Sequence, residues 1–295
     1  MARLLLGTDN GVVDLDGERA LAGHRVNSLS RDGWAVIDAA TVVREVEPGR
    51  WEEVAVLPAA NRNEHRPVLP LGDHAIVGTG DGLLRVANAD TALLPGFTEV
   101  DGREHWHAVG SSQPYVRSLT ATADGVLLAN VHVGGIPRST DDGKTWRPTI
   151  DVDSDVHQVR AHPERPELVV AAAAVGVCIS CDGGRTWTVH TDGLHATYCR
   201  AVAATGDTVL VSASTGPFTN RSAVYRRAID SDQPFERVSA WLPHNVDTEC
   251  LVAAGDHAAF GGPDGRVFVS NDAGRSWAVV RHDVPPVTAL AYARR

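Results

Sequence analysis

The sequence has 295 residues, of which 43% are hydrophobic and 22% charged, and this composition provides for a sizeable core and excludes a disordered chain. Its formal net charge of −10 argues against a nucleic-acid partner, since proteins that grip a phosphate backbone need a basic face. Aromatic residues make up only 5% of the chain, so the positions of the few Trp, Tyr and Phe residues carry information.

Residues 3–8 and 11–15 predict two short strands at the start of the chain. The apolar run there holds only Leu4, Leu5 and Leu6, which is too short for the core of a signal peptide or for a membrane span. Four cysteines are too few for a disulfide framework in a chain of this length. We therefore expect a cytoplasmic protein with no membrane partner.

An internal repeat follows along the chain. Residues 139–146, 180–187 and 270–277 share the pattern S-x-D-x-G-x-[ST]-W, and degenerate copies occur at 49–52, 96–98 and 233–236. The aromatic residues of these six copies lie 46, 49, 41, 48 and 42 residues apart. In chain order they are Trp51, Phe97, Trp146, Trp187, Phe235 and Trp277. A repeat of this length is typical of propellers and solenoids.

The repeated pattern predicts a tight turn, in which Asp accepts backbone N–H groups, Gly takes a positive φ and Trp fills the space between neighbouring sheets. In the unit that begins at Tyr115, apolar alternation predicts strands at 116–121 and 126–131, a third strand ending at Ser139 and a fourth over 146–150. Four short antiparallel strands per unit indicate a β-propeller blade.

The two ends of the chain predict the blade count. Residues 287–292 are similar to the first strands of other units, whereas the N-terminal residues correspond to a second strand. Joining them in one blade closes the ring without open edges. We therefore predict an all-β, seven-bladed propeller of four-stranded antiparallel blades in a single domain, with one blade closed by the N- and C-terminal strands. The predicted blades are 286–295 with 1–25, then approximately 26–66, 67–114, 115–157, 158–197, 198–247 and 248–285.

The three intact copies match the Asp-box, or BNR repeat. The chain thus resembles the Asp-box propellers, a superfamily that includes sialidases, sortilin-type receptors, photosystem II assembly factors and many uncharacterised bacterial proteins. The resemblance implies that the Asp-boxes lie on the blade rims, away from any active site, and have a structural role. Ligands of propellers usually bind on one face, around the mouth of the central channel.

Alignment of the innermost strands places an arginine at the same height near this mouth in three consecutive blades, as Arg117, Arg160 and Arg200. Converging guanidinium groups repel one another unless an anion lies among them, and their planar forks suit carboxylate, phosphate or sulfate. We predict these three as substrate-binding residues for an anionic small molecule or glycan. In the alternative, acids of the protein neutralise them, such as Asp155, Asp247 and Glu249.

Tyr198 and Glu249 occupy the same strand position in adjacent blades and are the predicted catalytic residues for a hydrolytic or lyase-type step. They are similar to the tyrosine and glutamate pair of sialidases. However, residues 135–138 read Gly-Ile-Pro-Arg, without the arginine that the sialidase element has before Ile136, so sialidase activity itself is not expected. A Tyr–Glu hydrogen bond in the propeller wall is the alternative interpretation.

Histidines are the other candidates, because many of the 13 precede innermost strands. His107, His132 and His157, from adjoining blades 4 and 5, are the predicted ligands of a divalent transition metal such as zinc, copper, iron or nickel. Alternatively, these imidazoles serve as general bases, or cap strands and face water.

Two functions remain open. The first is binding of an anion at the mouth, with or without catalysis, and the loop 214–222 is expected to form its lip. The second is a non-catalytic scaffold or assembly factor that holds a partner protein or a cofactor precursor on the same face. A scaffold is expected to have a shallow face with its arginines already neutralised.

Overall fold

The computed structural model describes residues 3–80, 82–107 and 113–293. They form seven four-stranded antiparallel sheets arranged in a ring, and neighbouring sheets contact each other mainly through their inner strands. This arrangement confirms the predicted seven-bladed β-propeller. In the described ranges the α-helical content is a single turn, α1 (Pro95–Thr98), and no helix there is long and apolar enough to span a lipid bilayer.

The strands succeed one another blade by blade along the chain. Blades 1 to 3 contain β1 (Arg3–Thr8), β2 (Gly11–Asp14), β3 (Arg19–Ala20), β4 (Val26–Leu29), β5 (Trp34–Ile37), β6 (Thr41–Glu47), β7 (Arg50–Val56), β8 (Val68–Leu71), β9 (His74–Gly78), β10 (Leu83–Ala87) and β11 (Asp90–Leu93). Blades 4 and 5 contain β12 (Val116–Ala121), β13 (Leu127–Val131), β14 (Pro137–Ser139), β15 (Arg147–Pro148), β16 (Val156–Ala161), β17 (Val169–Ala173), β18 (Gly176–Ser180) and β19 (Thr188–His190). Blades 6 and 7 contain β20 (Tyr198–Thr205), β21 (Thr208–Ser214), β22 (Ser222–Ala228), β23 (Glu236–Arg237), β24 (Leu251–Ala254), β25 (His257–Gly261), β26 (Val267–Ser270) and β27 (Ala278–Arg281).

The last strand, β28 (Val287–Ala293), completes blade 1 as its innermost strand. It pairs antiparallel with β1, so that Leu6 lies opposite Leu290 and Leu4 opposite Tyr292. The predicted closure of one blade by N- and C-terminal strands is therefore confirmed.

The core lies between neighbouring blades. Leu128 of blade 4, for example, packs in one cluster with Val159 and Val169 of blade 5, and all three are buried. Burial of such aliphatic side chains between sheets is the main source of stability in a stack of blades. The rigid ring that results holds the loops around the channel in place.

The Asp-box turns have the predicted structural geometry. Asp141 accepts hydrogen bonds from the backbone N–H of Thr145 at 2.9 Å and from the Ser139 hydroxyl at 2.8 Å. Hydrogen bonds from Thr145 and Ser139 lower the pKa of Asp141 to about 2. The Trp146 ring is buried behind the turn. Asp182 and Asp272 make the same set of bonds in their own turns.

β-Bulges interrupt five of the seven innermost strands near their first residues. The extra residue at the bulge is Thr288 in blade 1, Asn27 in blade 2, Arg117 in blade 4 and His157 in blade 5, while Arg200 and Ala201 share the bulge of blade 6. Bulges re-aim side chains and are frequent beside functional sites.

This register corrects one step of the sequence alignment. Val116 and Val156 both precede a bulge, so the equivalent of Arg117 in blade 5 is His157. Arg160 lies three residues farther along β16 and therefore at another height. The aligned letters Val-Arg suggested the wrong register because a bulge leaves no distinctive sequence pattern.

Candidate functional site at the channel mouth

Two of the predicted arginines meet at one carboxylate. Arg117 is 3% exposed, and its Nη2 lies 3.2 Å from Thr248 Oγ1 and 3.7 Å from Asp247 Oδ1. Arg200 Nε lies 3.3 Å from the same oxygen. Loss of solvent works to raise the pKa of Asp247, but Arg200 and Arg117 hold that pKa below its usual range. The carboxylate is therefore ionised and shared by two cations.

The third predicted arginine stands apart from this pair. Arg160 Nη2 lies 3.5 Å from Glu249 Oε1, and Nη1 donates to the Leu119 carbonyl at 3.4 Å. Burial raises the pKa of Glu249 in spite of Arg160. The alternative expectation, arginines paired with protein acids, thus holds for Arg160 with Glu249 as it does for Arg117 and Arg200 with Asp247.

Sequence reasoning missed Arg25, which takes the place of Arg160 in the cluster. Arg25 forms an ion pair with Asp9, and both line a cavity of about 390 Å³ together with Arg200 and Asp247. Its position directly before β4, at an aligned inner strand, was the available signal. We call Arg25, Arg117 and Arg200 the arginine cluster.

The arginine cluster has unused donors. The Nε atoms of Arg25 and Arg117 are buried without a hydrogen-bond partner among the described residues, and the buried Arg200 Nε faces only the Asp247 oxygen at 3.3 Å, without hydrogen-bond geometry. Unpaired buried donors are uncommon in folded proteins and costly when they occur. The cluster therefore has donor capacity left after its contacts with protein acids.

His65 also lines the cavity. Burial, and after it Arg117, Arg200 and Arg25, lower its pKa to about 4 against the opposing effect of Asp247. This imidazole is neutral at pH 7 and adds no charge to the cluster.

The loop 214–222 borders the same cavity, as expected for a lip. Pro217 and Thr219 line the cavity, and the side chain of Phe218 between them is wholly exposed. The lip loop therefore exposes an aromatic ring to solvent beside the mouth.

A row of rings forms the wall of the mouth from blade 3 to blade 6. His65 stacks on Tyr115 at 5.9 Å between centroids, Tyr115 lies 5.1 Å from His132, and His157 lies 4.7 Å from Tyr198. Tyr198 is thus engaged with His157, and no hydrogen bond joins it to Glu249 in the described part of the chain. The two predicted catalytic residues are not brought together.

The three predicted metal-binding histidines are not all brought together either. His132 Nε2 lies 3.7 Å from Asp155 Oδ1, and His157 Nε2 lies 3.5 Å from Asp155 Oδ2. His107 is exposed, with Nδ1 3.3 Å from the carbonyl of His105. Asp155 therefore stands with His132 and His157 where the sequence predicted His107.

Both inner imidazoles are neutral at pH 7. Burial, and after it Arg117, lower the pKa of His132 to about 4, and burial likewise lowers the pKa of His157. We call His132, Asp155 and His157 the imidazole–carboxylate trio.

Comparison with known proteins supports the fold. No family model matches the chain, and no curated protein matches it in sequence. Solved structures that resemble it include "Structure of U3-55K", at 13% identity and a TM-score of 0.64 over 93% of this chain and 88% of that one. A structure of YCF48 bound to D1 peptide aligns at 16% identity and a TM-score of 0.54, covering 86% and 81% of the two chains.

A Niastella koreensis GH74 enzyme aligns at 12% identity and a TM-score of 0.59 over 94% of this chain. The alignment covers 47% of that enzyme, so the present chain spans about half its length. At such identities the similarity establishes the fold alone. These neighbours include both an enzyme and a peptide-bound protein.

Proposed function

We propose that the channel mouth binds the anionic group of a small molecule or glycan through the arginine cluster. The observation that carries this proposal is the pair of cavity-lining arginines, Arg25 and Arg200, whose buried Nε donors make no hydrogen bond in the described residues, with buried Arg117 sharing Asp247 with Arg200. An oxyanion in the cavity would accept from Arg25 and Arg200, which line it, and so reduce the cost of their unpaired donors.

The charges favour an anionic ligand. Three guanidinium groups share two carboxylates, those of Asp9 and Asp247, so one positive charge is left over. His65 does not change this balance, because its pKa of about 4 leaves it neutral at pH 7. Arginine forks match the geometry of carboxylate, phosphate and sulfate.

Asp247 satisfies the hydrogen-bond donors of Arg117 and Arg200 only in part. Its oxygen lies 3.3 and 3.7 Å from the two arginine nitrogens. Charge-assisted hydrogen bonds are shorter, about 2.7–2.9 Å. Asp247 therefore keeps the arginines apart and neutralises them without saturating their donors, and it competes with an external anion.

The cavity has a suitable size. Its volume of about 390 Å³ is within the range of small-molecule sites, roughly 300–1,000 Å³. The proposal concerns binding and includes no catalytic step. Catalysis would require Tyr198 and Glu249 to face one ligand, whereas Tyr198 packs on His157 and Glu249 pairs with Arg160.

A second candidate function is to hold a partner protein on the same face, and exposed aromatic rings favour it. Phe218 is wholly exposed, and Trp241 is 40% exposed beneath the guanidinium groups of Arg221 and Arg237. Exposed aromatic groups close to a binding site are typical of protein interaction surfaces.

Calorimetric titration with inorganic phosphate, sulfate and glucuronate, beside thermal unfolding, tests the proposed function. The protein should bind at least one of these anions and gain thermal stability from it. Arg200→Gln should weaken binding tenfold or more. Arg165→Gln should bind like the unmodified protein, because Arg165 pairs with Asp230 and does not line the cavity.

Asp247→Asn makes the test sharper. Removal of the competing carboxylate should strengthen binding of the same anions severalfold, since Arg117 and Arg200 then have no carboxylate partner. The proposal fails if no anion binds to either protein, or if Arg200→Gln and Asp247→Asn both bind like the original chain.

A further inference from the structure

The imidazole–carboxylate trio lies where the loop before β16 meets the end of β13, at the junction of blades 4 and 5. The ligand-type atoms of its three side chains all lie within 4.8 Å of one another. We infer that His132, Asp155 and His157 bind one divalent first-row transition-metal ion of the zinc or iron(II) type. This inference is independent of the proposed anion site and goes beyond it.

The distances fit a shared ion better than hydrogen bonds. A carboxylate hydrogen-bonded to the N–H of a neutral imidazole would lie about 2.7–3.2 Å from its nitrogen. The two observed separations are 3.5 and 3.7 Å. Metal–ligand bonds of about 2.0–2.2 Å in a tetrahedron place neighbouring ligand atoms about 3.3–3.6 Å apart. The three side chains thus need only a small adjustment to meet one ion.

One histidine is held in the tautomer that a metal requires. His157 Nδ1 lies 2.6 Å from the carbonyl oxygen of Cys199, so Nδ1 carries the proton and donates it. The lone pair is then on Nε2, which faces Asp155. Backbone carbonyls commonly fix metal-binding histidines in this way.

Unpaired buried atoms provide an independent observation. His157 is 0% exposed, and its Nε2 has no hydrogen-bond partner among the residues described. In the same part of the structure, Asp155 Oδ1 and one ring nitrogen of His132, Nδ1, are also buried without a partner. A buried carboxylate oxygen and an imidazole lone pair without partners are costly, and a cation between them removes that cost.

The backbone also aims the carboxylate at the histidines. Asp155 follows the short 3₁₀ turn Val152–Ser154 and has a φ of +46°, in the left-handed region that non-glycine residues rarely adopt. Such local strain is concentrated at functional sites.

Three protein ligands leave coordination positions open. Two histidines and one carboxylate are typical of zinc or iron(II) sites that also bind water or a substrate, whereas structural zinc sites have four protein ligands. The Asp155 side chain is 26% exposed, so solvent reaches the trio. The metal would therefore be accessible to an external ligand.

Metal binding to protein first dialysed against a chelator tests the inference. Elemental analysis after addition of Zn²⁺ and removal of the excess should find one zinc per chain. Co²⁺ in place of Zn²⁺ should give visible absorption bands typical of nitrogen and oxygen ligands. Asp155→Asn and His157→Gln should each weaken Zn²⁺ binding at least tenfold and remove the cobalt bands.

Matched histidine variants complete the experiment. His105→Gln changes an exposed imidazole outside the trio and should leave zinc binding unchanged. His107→Gln should also bind normally, and loss of zinc from this variant would overturn the choice of Asp155 as third ligand. Because His157 is wholly buried, circular dichroism must show that His157→Gln folds. If His157→Gln does not fold, zinc binding by Asp155→Asn, at a partly exposed residue, tests the inference. Undiminished zinc binding by Asp155→Asn would overturn the inference.

Discussion

Arg117 joins blade 4 to blade 7 across the central channel: its Nη2 lies 3.2 Å from Thr248 Oγ1, although the two residues are 131 positions apart in the chain. The Thr248 hydroxyl in turn lies 3.2 Å from the carbonyl of His157 in blade 5. This contact holds one guanidinium group of the arginine cluster close to the imidazole–carboxylate trio, where it helps to lower the pKa of His132. Blades distant in sequence are thus tied together at the mouth.

Asp247→Asn should destabilise the fold by about 1–2 kcal/mol, because buried Arg117 and half-buried Arg200 lose the carboxylate that they share, although solvent at the 45% exposed Asp247 side chain weakens the effect. Urea unfolding measures the change. Asp230→Asn is the control: Asp230 is exposed and pairs with Arg165 on the surface, so its loss should stay within about 0.5 kcal/mol. Equal stability of the two variants would contradict the assigned role of Asp247.

His65 should make the protein sensitive to mild acid. Its pKa is near 6.5 in the unfolded chain and about 4 in the fold, where burial and Arg117 disfavour the charged form. Between these values the unfolded state binds the extra proton, so stability falls as the pH drops from 6.5 towards 4. His65→Gln should reduce this loss in unfolding curves recorded at pH 7 and pH 4.5. An unchanged difference between the two pH values would show that His65 does not contribute.

Asp182 should stabilise its Asp-box turn without affecting ligands. Its carboxylate accepts from the backbone N–H groups of Arg185 and Thr186 and from the Thr186 hydroxyl. Asp182→Asn weakens these bonds and should cost about 1–2 kcal/mol of stability. Asp192→Asn, at an exposed aspartate in the next turn, should cost little. Anion binding should be equal in both variants, and a selective loss in Asp182→Asn would contradict a purely structural Asp-box.

Gly78 should tolerate no side chain, because it lies against the inner strand of the next blade. A Cβ atom at Gly78 would lie 2.7 Å from Val116 Cβ, and Gly7 and Gly261 face Val26 and Val287 just as closely. Gly78→Ala should therefore lose about 1–3 kcal/mol through overpacking. Gly80→Ala is a matched control, since the nearest atoms to its added Cβ are 4.0 Å away. Thermal unfolding compares the two, and equal midpoints would exclude this close contact between blades.

The sequence was most informative where one residue type marks the same place in each blade. Buried rings such as Trp146 and Phe97 recur because each pair of neighbouring sheets leaves a similar gap at its rim. Their spacing predicted six repeated units, and the seventh blade followed from joining the two ends of the chain. Closure by β1 and β28 was predictable for the same reason, because strand order within a blade is repeated.

The site was less predictable because it depends on exceptions to the repeat. The bulges at Arg117 and His157 shift the register of their strands, so Arg160 appeared equivalent to Arg117 when it is not. Asp155 lies beside the histidines because its backbone is in the left-handed conformation, and no sequence pattern predicts that conformation. Arg117 and Arg200 could be predicted to lie near the mouth from the strand alignment, whereas the place of Arg25 beside Arg200 depends on an approach across the ring.

The pairing of β1 with β28 also sets the order in which the molecule can assemble. Leu6 cannot contact Leu290 until nearly all of the described chain has been synthesised. The edge of β1 therefore stays unpaired during translation of the intervening blades. Contacts between such distant residues make folding slow. The channel mouth, which needs blades from both halves of the ring, should therefore be among the last parts to form. A ligand bound there would stabilise the closed propeller and would not assist the folding of the open one.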